Sequence, residues 1–248
     1  VDYPAPGWLP SGHLQTIYPA LCLRKPAVAM RRERWDSPDG DFVDVDFVDG
    51  APGQPMVVLF HGLEGSSDSH YARALMAAVA ARGWSGAVPH FRGCSGEPNR
   101  APRFYHSGDA TEIDWIIRRL HARHPAAPFY AAGVSLGGNA LLRWLGESQS
   151  GAQIVDAACA VSAPLDLARG GEALSSGFNM IYTRMFLQTL KPKVKTLNTS
   201  MGSNIVATKR MRGGNLQRRN RRMFMRNPLC VMCEAQGRVS QATEWDHI

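Results

Sequence analysis

The sequence predicts an α/β fold around a mostly parallel sheet, on three observations. Short apolar runs alternate with stretches of helical period from residue 41 to residue 161. The inner runs, such as Met56–Phe60 (Met-Val-Val-Leu-Phe), are apolar throughout, the pattern of a strand buried on both faces of a parallel sheet. A serine flanked by glycines sits where one of these runs turns helical. Alternation of this kind packs helices against a central sheet through right-handed crossovers.

Taken in order, residues 41–48 alternate apolar and acidic side chains, which by period is a half-exposed strand. Their carboxylates admit a calcium site or an edge strand whose charges block edge-to-edge pairing, and the edge strand is the one expected. After the Met56–Phe60 strand, residues 71–82 are alanine-rich and helical, ended by Gly83, and 84–89 read as another strand. Asp109 opens a helix with Glu112 three residues on, the spacing of a capping box; Ile113, Ile116, Ile117 and Leu120 form its apolar face. A strand over 128–134, a helix over 139–145 and a sixth strand over Ala157–Val161 complete the alternation. Residues 171–190 read as cap or lid helices.

Composition bounds the function. Of 248 residues 44% are apolar and 20% charged, enough to bury a core in one large domain or two small ones. No run approaches the roughly 18 apolar residues of a transmembrane helix. The first residues, Val-Asp-Tyr-Pro-Ala-Pro, lack the basic and apolar regions of a secretory signal. Five cysteines at scattered spacing suit free thiols, so a reducing, cytoplasmic location is expected.

Charge divides the chain. Residues 1–190 carry 16 Lys and Arg against 18 Asp and Glu, a net of −2, while 191–248 carry 12 against 3, a net of +9. The nucleic-acid signal in the positive total therefore belongs to the tail alone.

Gly133-Val134-Ser135-Leu136-Gly137 is a G-x-S-x-G pattern between a strand and a helix, the context of a nucleophile elbow. Glycines on both sides of Ser135 leave no Cβ to collide in a sharp turn, and the helix N-terminus favours negative charge on the hydroxyl. Ser135 is the candidate nucleophile, and the Leu136 N–H the first candidate oxyanion donor. His61-Gly62-Leu63-Glu64-Gly65 follows the buried strand ending at Phe60 and offers the Leu63 N–H as the second donor. His61 is read as orienting that loop through its ring nitrogens rather than as the base.

Four segments in order carry a resemblance. Trp8-Leu9-Pro10-Ser11-Gly12-His13-Leu14-Gln15-Thr16, His61-Gly62-Leu63-Glu64-Gly65-Ser66-Ser67, His90-Phe91-Arg92-Gly93-Cys94-Ser95-Gly96-Glu97 and Gly133-Val134-Ser135-Leu136-Gly137-Gly138-Asn139 resemble the YheT-type branch of α/β-hydrolases over about residues 1–195. The resemblance implies carboxylesterase or lipase-like chemistry with a Ser–Asp–His triad, acting on a small-molecule or lipid ester. It also makes Cys94 a turn residue rather than a nucleophile.

A triad needs an acid and a base after Ser135 in this fold. The sequence offers Asp166, just past the sixth strand, as a candidate acid, and His247, the only later histidine, as a candidate base. In the family resembled, both groups follow two further strands that are not recognisable here. The expectation is an α/β-hydrolase domain over 1–195 that lacks its last strands and has an incomplete triad.

After a junction at 196–211, the segment 212–248 is a small basic tail containing cysteines. Residues 209–226 hold eight Lys or Arg with no acid, as a solvated tail or a weak nucleic-acid contact would. Cys230-Val231-Met232-Cys233 has metal-knuckle spacing, with Asp246-His247 thirteen residues later. Arg226 through Cys233 together with Thr243 through Ile248 resembles the opening of a phage-type HNH endonuclease. That likeness implies a metal site drawing on Cys230, Cys233, Asp246 and His247, with zinc or another divalent metal as its cofactor. It is the alternative function, a DNA-binding or nuclease fragment; ester hydrolysis itself needs no cofactor.

Overall fold

The structure, a computed structural model, describes residues 4–101 and 103–200. Its elements in chain order are α1 (Gly12–Leu21), β1 (Arg31–Asp36), β2 (Phe42–Val48), β3 (Met56–Phe60), α2 (His70–Ala81), β4 (Ser85–Pro89), α3 (Ala110–Arg123), β5 (Phe129–Val134), α4 (Leu136–Ser148), β6 (Ala157–Val161), α5 (Leu167–Leu174) and α6 (Met180–Ser200). The described strands form one sheet in the order β1-β2-β4-β3-β5-β6. Strands β4, β3, β5 and β6 run parallel, and β1 and β2 add an antiparallel edge.

The parallel centre follows from its side chains. β3 is buried along its whole length, and apolar residues cover both of its faces. One face packs Val58, Phe60 and Phe129 against Ile113, Ile116 and Ile117 of α3 and Leu141 and Trp144 of α4. The other packs Val57, Leu59 and Val88 against Ala72, Met76 and Val79 of α2. At roughly 1.5–3 kcal/mol for each large side chain removed from water, these two layers supply most of the drive to fold.

Two expectations are corrected. Residues 41–48 are not the edge: β1 lies outside β2, and every residue of β2 is buried. The alternating carboxylates instead face arginines directly across the pair, Asp46 opposite Arg32 and Asp44 opposite Arg34. Arg32 reaches Asp46 at 2.7 Å and Arg34 reaches Asp44 at 2.8 Å. An Arg-rich β1 (Arg-Arg-Glu-Arg-Trp-Asp) is a poor strand by composition, and it forms because β2 supplies the countercharges.

The capping box at α3 is also absent. Asp109 holds the N-cap position without a side-chain cap bond, and its carboxylate is taken by Arg103 at 2.5 Å. Glu112 is buried against Arg92, whose guanidinium also bonds Asp39 and Asp41. Tertiary ion pairs drew both carboxylates away from the helix end. At the other terminus, α6 runs from Met180 to Ser200 through Pro192, across the 195/196 boundary expected from the sequence.

Candidate active site

Ser135 occupies the turn between β5 and α4 with φ +52 and ψ −118, a conformation that side chains with a Cβ rarely adopt. Such a residue costs roughly 1–3 kcal/mol and persists only where its surroundings over-determine it. Here its N–H donates to the Val161 carbonyl at 2.9 Å, and its carbonyl accepts from Asn139 N–H at 3.1 Å. Gly137 is forced by space, since a Cβ there would collide with the backbone carbonyls of Phe60 and His61. That close approach sets the N-terminus of α4 against the end of β3.

The same geometry brings the His61–Gly65 loop to the serine. A Cβ on Gly62 would lie 3.3 Å from Ser135 Cβ, so the loop passes beside Ser135. Gly62 N–H donates to the Tyr71 hydroxyl at 2.9 Å, and Gly65 N–H to the Gly62 carbonyl at 2.9 Å. Leu63, half-buried, packs against the α3–α4 core layer. No hydrogen bond among the described residues uses the N–H of Leu63 or of Leu136, or the Ser135 hydroxyl. Leu136 is the first residue of α4, where N–H groups have no intrahelical acceptor.

His61 is fully buried and works as a bracket. Nδ1 lies 2.8 Å from the Gly62 carbonyl, which accepts only, so Nδ1 carries the proton. Nε2 then accepts from Phe91 N–H at 3.0 Å and ties this loop to the one after β4. Burial lowers its pKa from 6.5 to about 3 against the opposing bond to Gly62, so the ring stays neutral. With both nitrogens engaged, it orients the loop and has no free lone pair for the serine proton.

Cys94 is half-buried, and burial pushes its thiol up, away from the thiolate form that a nucleophile needs. Asp166 is the N-cap of α5: its Oδ1 accepts from Arg169 N–H at 2.8 Å and Oδ2 pairs with Arg169 Nε at 3.1 Å. The structure thus brings Ser135, Leu136, Gly62 and Leu63 together and leaves Asp166 on a helix cap. His247, Asp246, Cys230 and Cys233 lie outside the described residues. Among the described residues, no group of three or more His, Cys, Asp or Glu is placed to hold a metal ion. Nor is any helix among them long and apolar enough to cross a membrane.

Several residues around the site carry no signal in the sequence. Tyr71 opens the helix expected over 71–82 and Tyr105 follows Phe104, and neither is marked by its neighbours for the hydroxyl that holds Gly62 N–H or Glu64 N–H. Lys193 reads as the start of the basic run, yet its ammonium lies 2.7 Å from Glu64. Only the position of Glu64 inside the glycine-rich loop could have marked it.

A family model described as alpha/beta hydrolase fold matches residues 55–243. That span takes in most of residues 212–248. YheT of Escherichia coli, a candidate esterase by its name, is 44% identical over 182 residues, covering 72% of this chain and 53% of YheT. Human phospholipase ABHD3 is 30% identical over 190 residues, 73% of this chain and 46% of that protein. The chain spans about half the length of the curated relatives it matches. The fold is shared with an esterase of Pyrococcus furiosus at a TM-score of 0.50 and 18% identity, over 67% of this chain and 66% of that one. With the model matching well over half of its length, the chain belongs to the alpha/beta hydrolase fold family.

Proposed function

We propose that this protein hydrolyses carboxylic esters through an acyl-Ser135 intermediate. The observation that carries the reading is Ser135 itself, a non-glycine residue at φ +52 on a strand-to-helix turn with the Gly62 loop against it. In the first step a base takes the Ser135 proton while Oγ bonds to the substrate carbonyl carbon, and the carbonyl electron pair moves onto oxygen. The Leu136 and Leu63 N–H groups, both without an acceptor among the described residues, receive that oxyanion. Collapse expels the alkoxide, which takes up the proton, and water repeats the sequence to free the acid.

Both nitrogens of His61 are engaged, so the base is assigned to His247, which follows Ser135 in the sequence. Asp166 serves as its acid only by giving up the Arg169 cap, which makes it the less favoured part of the reading. Exposed apolar residues of the segment read as a cap, Phe178, Met180 and Ile181, suit a lipid or other small-molecule ester with an apolar acyl chain. The relatives' names, an esterase and a phospholipase, fall in the same class.

Fluorophosphonate labelling read by intact mass tests this. One adduct is expected on the parent, none on Ser135→Ala, and slowed labelling on His247→Ala. A folded parent that takes no adduct, or an adduct that survives Ser135→Ala, removes Ser135 as nucleophile. Retained full-rate labelling in His247→Ala keeps the nucleophile and removes that base.

A further inference from the structure

Glu64, the residue after Leu63, sits in an unfavourable state on two counts. Its φ is +55 although it is not glycine, and its carboxylate side chain is only 6% exposed. A buried carboxylate without partners costs several kcal/mol, so the surroundings must compensate. They do so from two directions. Tyr105 brackets the residue: its hydroxyl accepts from Glu64 N–H at 2.8 Å and donates to Oε1 at 2.7 Å. From α6, Lys193 Nζ lies 2.7 Å from Oε2.

Burial alone would raise the Glu64 carboxyl, and the bonds from Lys193 and Tyr105 outweigh it, so the group is held ionised. Lys193 is itself wedged against the loop after β4, with Nζ 3.5 Å from Cys94 Sγ. The rest of α6 is thinly held. Met180, Ile181, Met185, Leu187 and Val194 are exposed, and Tyr182 meets His13 Nδ1 at 3.0 Å. The Glu64 contact is therefore a buried ionic tie from the cap helix into the loop beside Ser135.

We propose that Glu64 is a positioning residue: clamped by Lys193 of α6 and by Tyr105, it fixes the backbone of residues 62–65 and so the direction of the Leu63 N–H. The cap helix thereby sets the oxyanion donor. This rests on the acyl-serine reading for its catalytic consequence, while the clamp itself is a statement about the loop.

Lys193→Met cuts the tie without altering the loop sequence, Lys193→Arg keeps the charge, and Lys191→Met changes an exposed lysine of the same helix as a control. Saturation kinetics with an alkyl fluorophosphonate separate reagent affinity from the maximal rate of Ser135 phosphonylation. Hydrogen–deuterium exchange on peptides covering 61–66 follows the loop directly. The expected result for Lys193→Met is a maximal rate lower by roughly tenfold to a hundredfold at near-parent affinity. Exchange in 61–66 should rise with the core peptides unchanged, and Lys193→Arg should recover both. Parent-like rate and loop exchange in Lys193→Met overturn the proposal, as does exchange that rises equally across the core. If the parent takes no label at Ser135, the acyl-serine reading falls, and the exchange of 61–66 alone decides the clamp.

Discussion

β5 and β6 are neighbouring parallel strands of similar small, apolar composition, yet they live in different solvents. Phe129 and Ala131 of β5 are buried, whereas Ala157, Ala158, Cys159 and Val161 of β6 are exposed. The helices show the same contrast. α4 buries Leu141 and Trp144 in the main core, while α6 leaves Met185 and Leu187 in water. One half of the molecule is held by apolar packing on two faces of a sheet, the other by a few polar ties, above all Lys193 to Glu64. Hydrophobicity makes a segment eligible for burial; the layers on either side of it decide whether burial happens.

That comparison can be broken by substitution. The largest effect belongs to Gly137→Ala, where the new Cβ meets backbone carbonyls that cannot retreat; a loss of more than about 3 kcal/mol, or failure to fold, is expected in thermal melts. A variant that melts with the parent would show the turn to be far looser than its geometry. Next is a matched pair. Leu141→Ala should cost roughly 2–5 kcal/mol by urea unfolding, and Ile181→Ala on α6 no more than about 0.5. Equal costs would mean that α6 is as tightly packed as α4.

The ionic layer between β1 and β2 gives the third test. Asp46 accepts from Arg32 and from Ser67, at 2.5 Å for the latter, and lies 2.9 Å from His90 Nε2. Burial would raise its carboxyl, but these bonds outweigh burial and hold it well below the ordinary range. Asp46→Asn should cost about 2–3 kcal/mol, less than the roughly 3–5 of a fully buried pair because Arg32 is partly exposed. A depressed carboxyl stabilises above its unfolded value near 3.8 and loses that contribution as pH falls further. His61, held near 3 against an unfolded value of 6.5, begins the decline earlier, as the unfolded chain takes up a proton below about 6.5. Parent stability should therefore fall gently from pH 6.5 and steeply below about 4, with the lower limb shallower in Asp46→Asn. The one expected gain is Gly171→Ala in α5, where a Cβ meets nothing within 4 Å; at most about 1 kcal/mol is expected in the same melts.

Much of the fold was legible because its signals are local. Met56–Phe60, the 128–134 run and the isoleucine face of α3 declare their burial by composition and period alone. The elbow was legible too, since a sharp turn leaves a glycine on each side of Ser135. β1 and the fates of Asp109 and Glu112 were not, because each depends on an arginine distant in sequence that outcompetes the local choice. Periodicity alone also put an edge where a covered strand lies, since alternation of Val and Asp cannot announce that Arg32 and Arg34 wait across the pair.

The sequence by itself determined the α/β alternation, the glycine-flanked serine and the glycine-rich loop after β3, because sterics and periodicity act over a few residues. Only the tertiary structure decided that Gly62 lies against Ser135, that His61 is locked neutral between two loops, and that Asp166 caps a helix. It also decided that Lys193 reaches back to Glu64, across 129 positions of chain. A cation, a carboxylate or a ring nitrogen carries no mark of its partner, and only the packed sheet and helices bring the two within hydrogen-bonding reach.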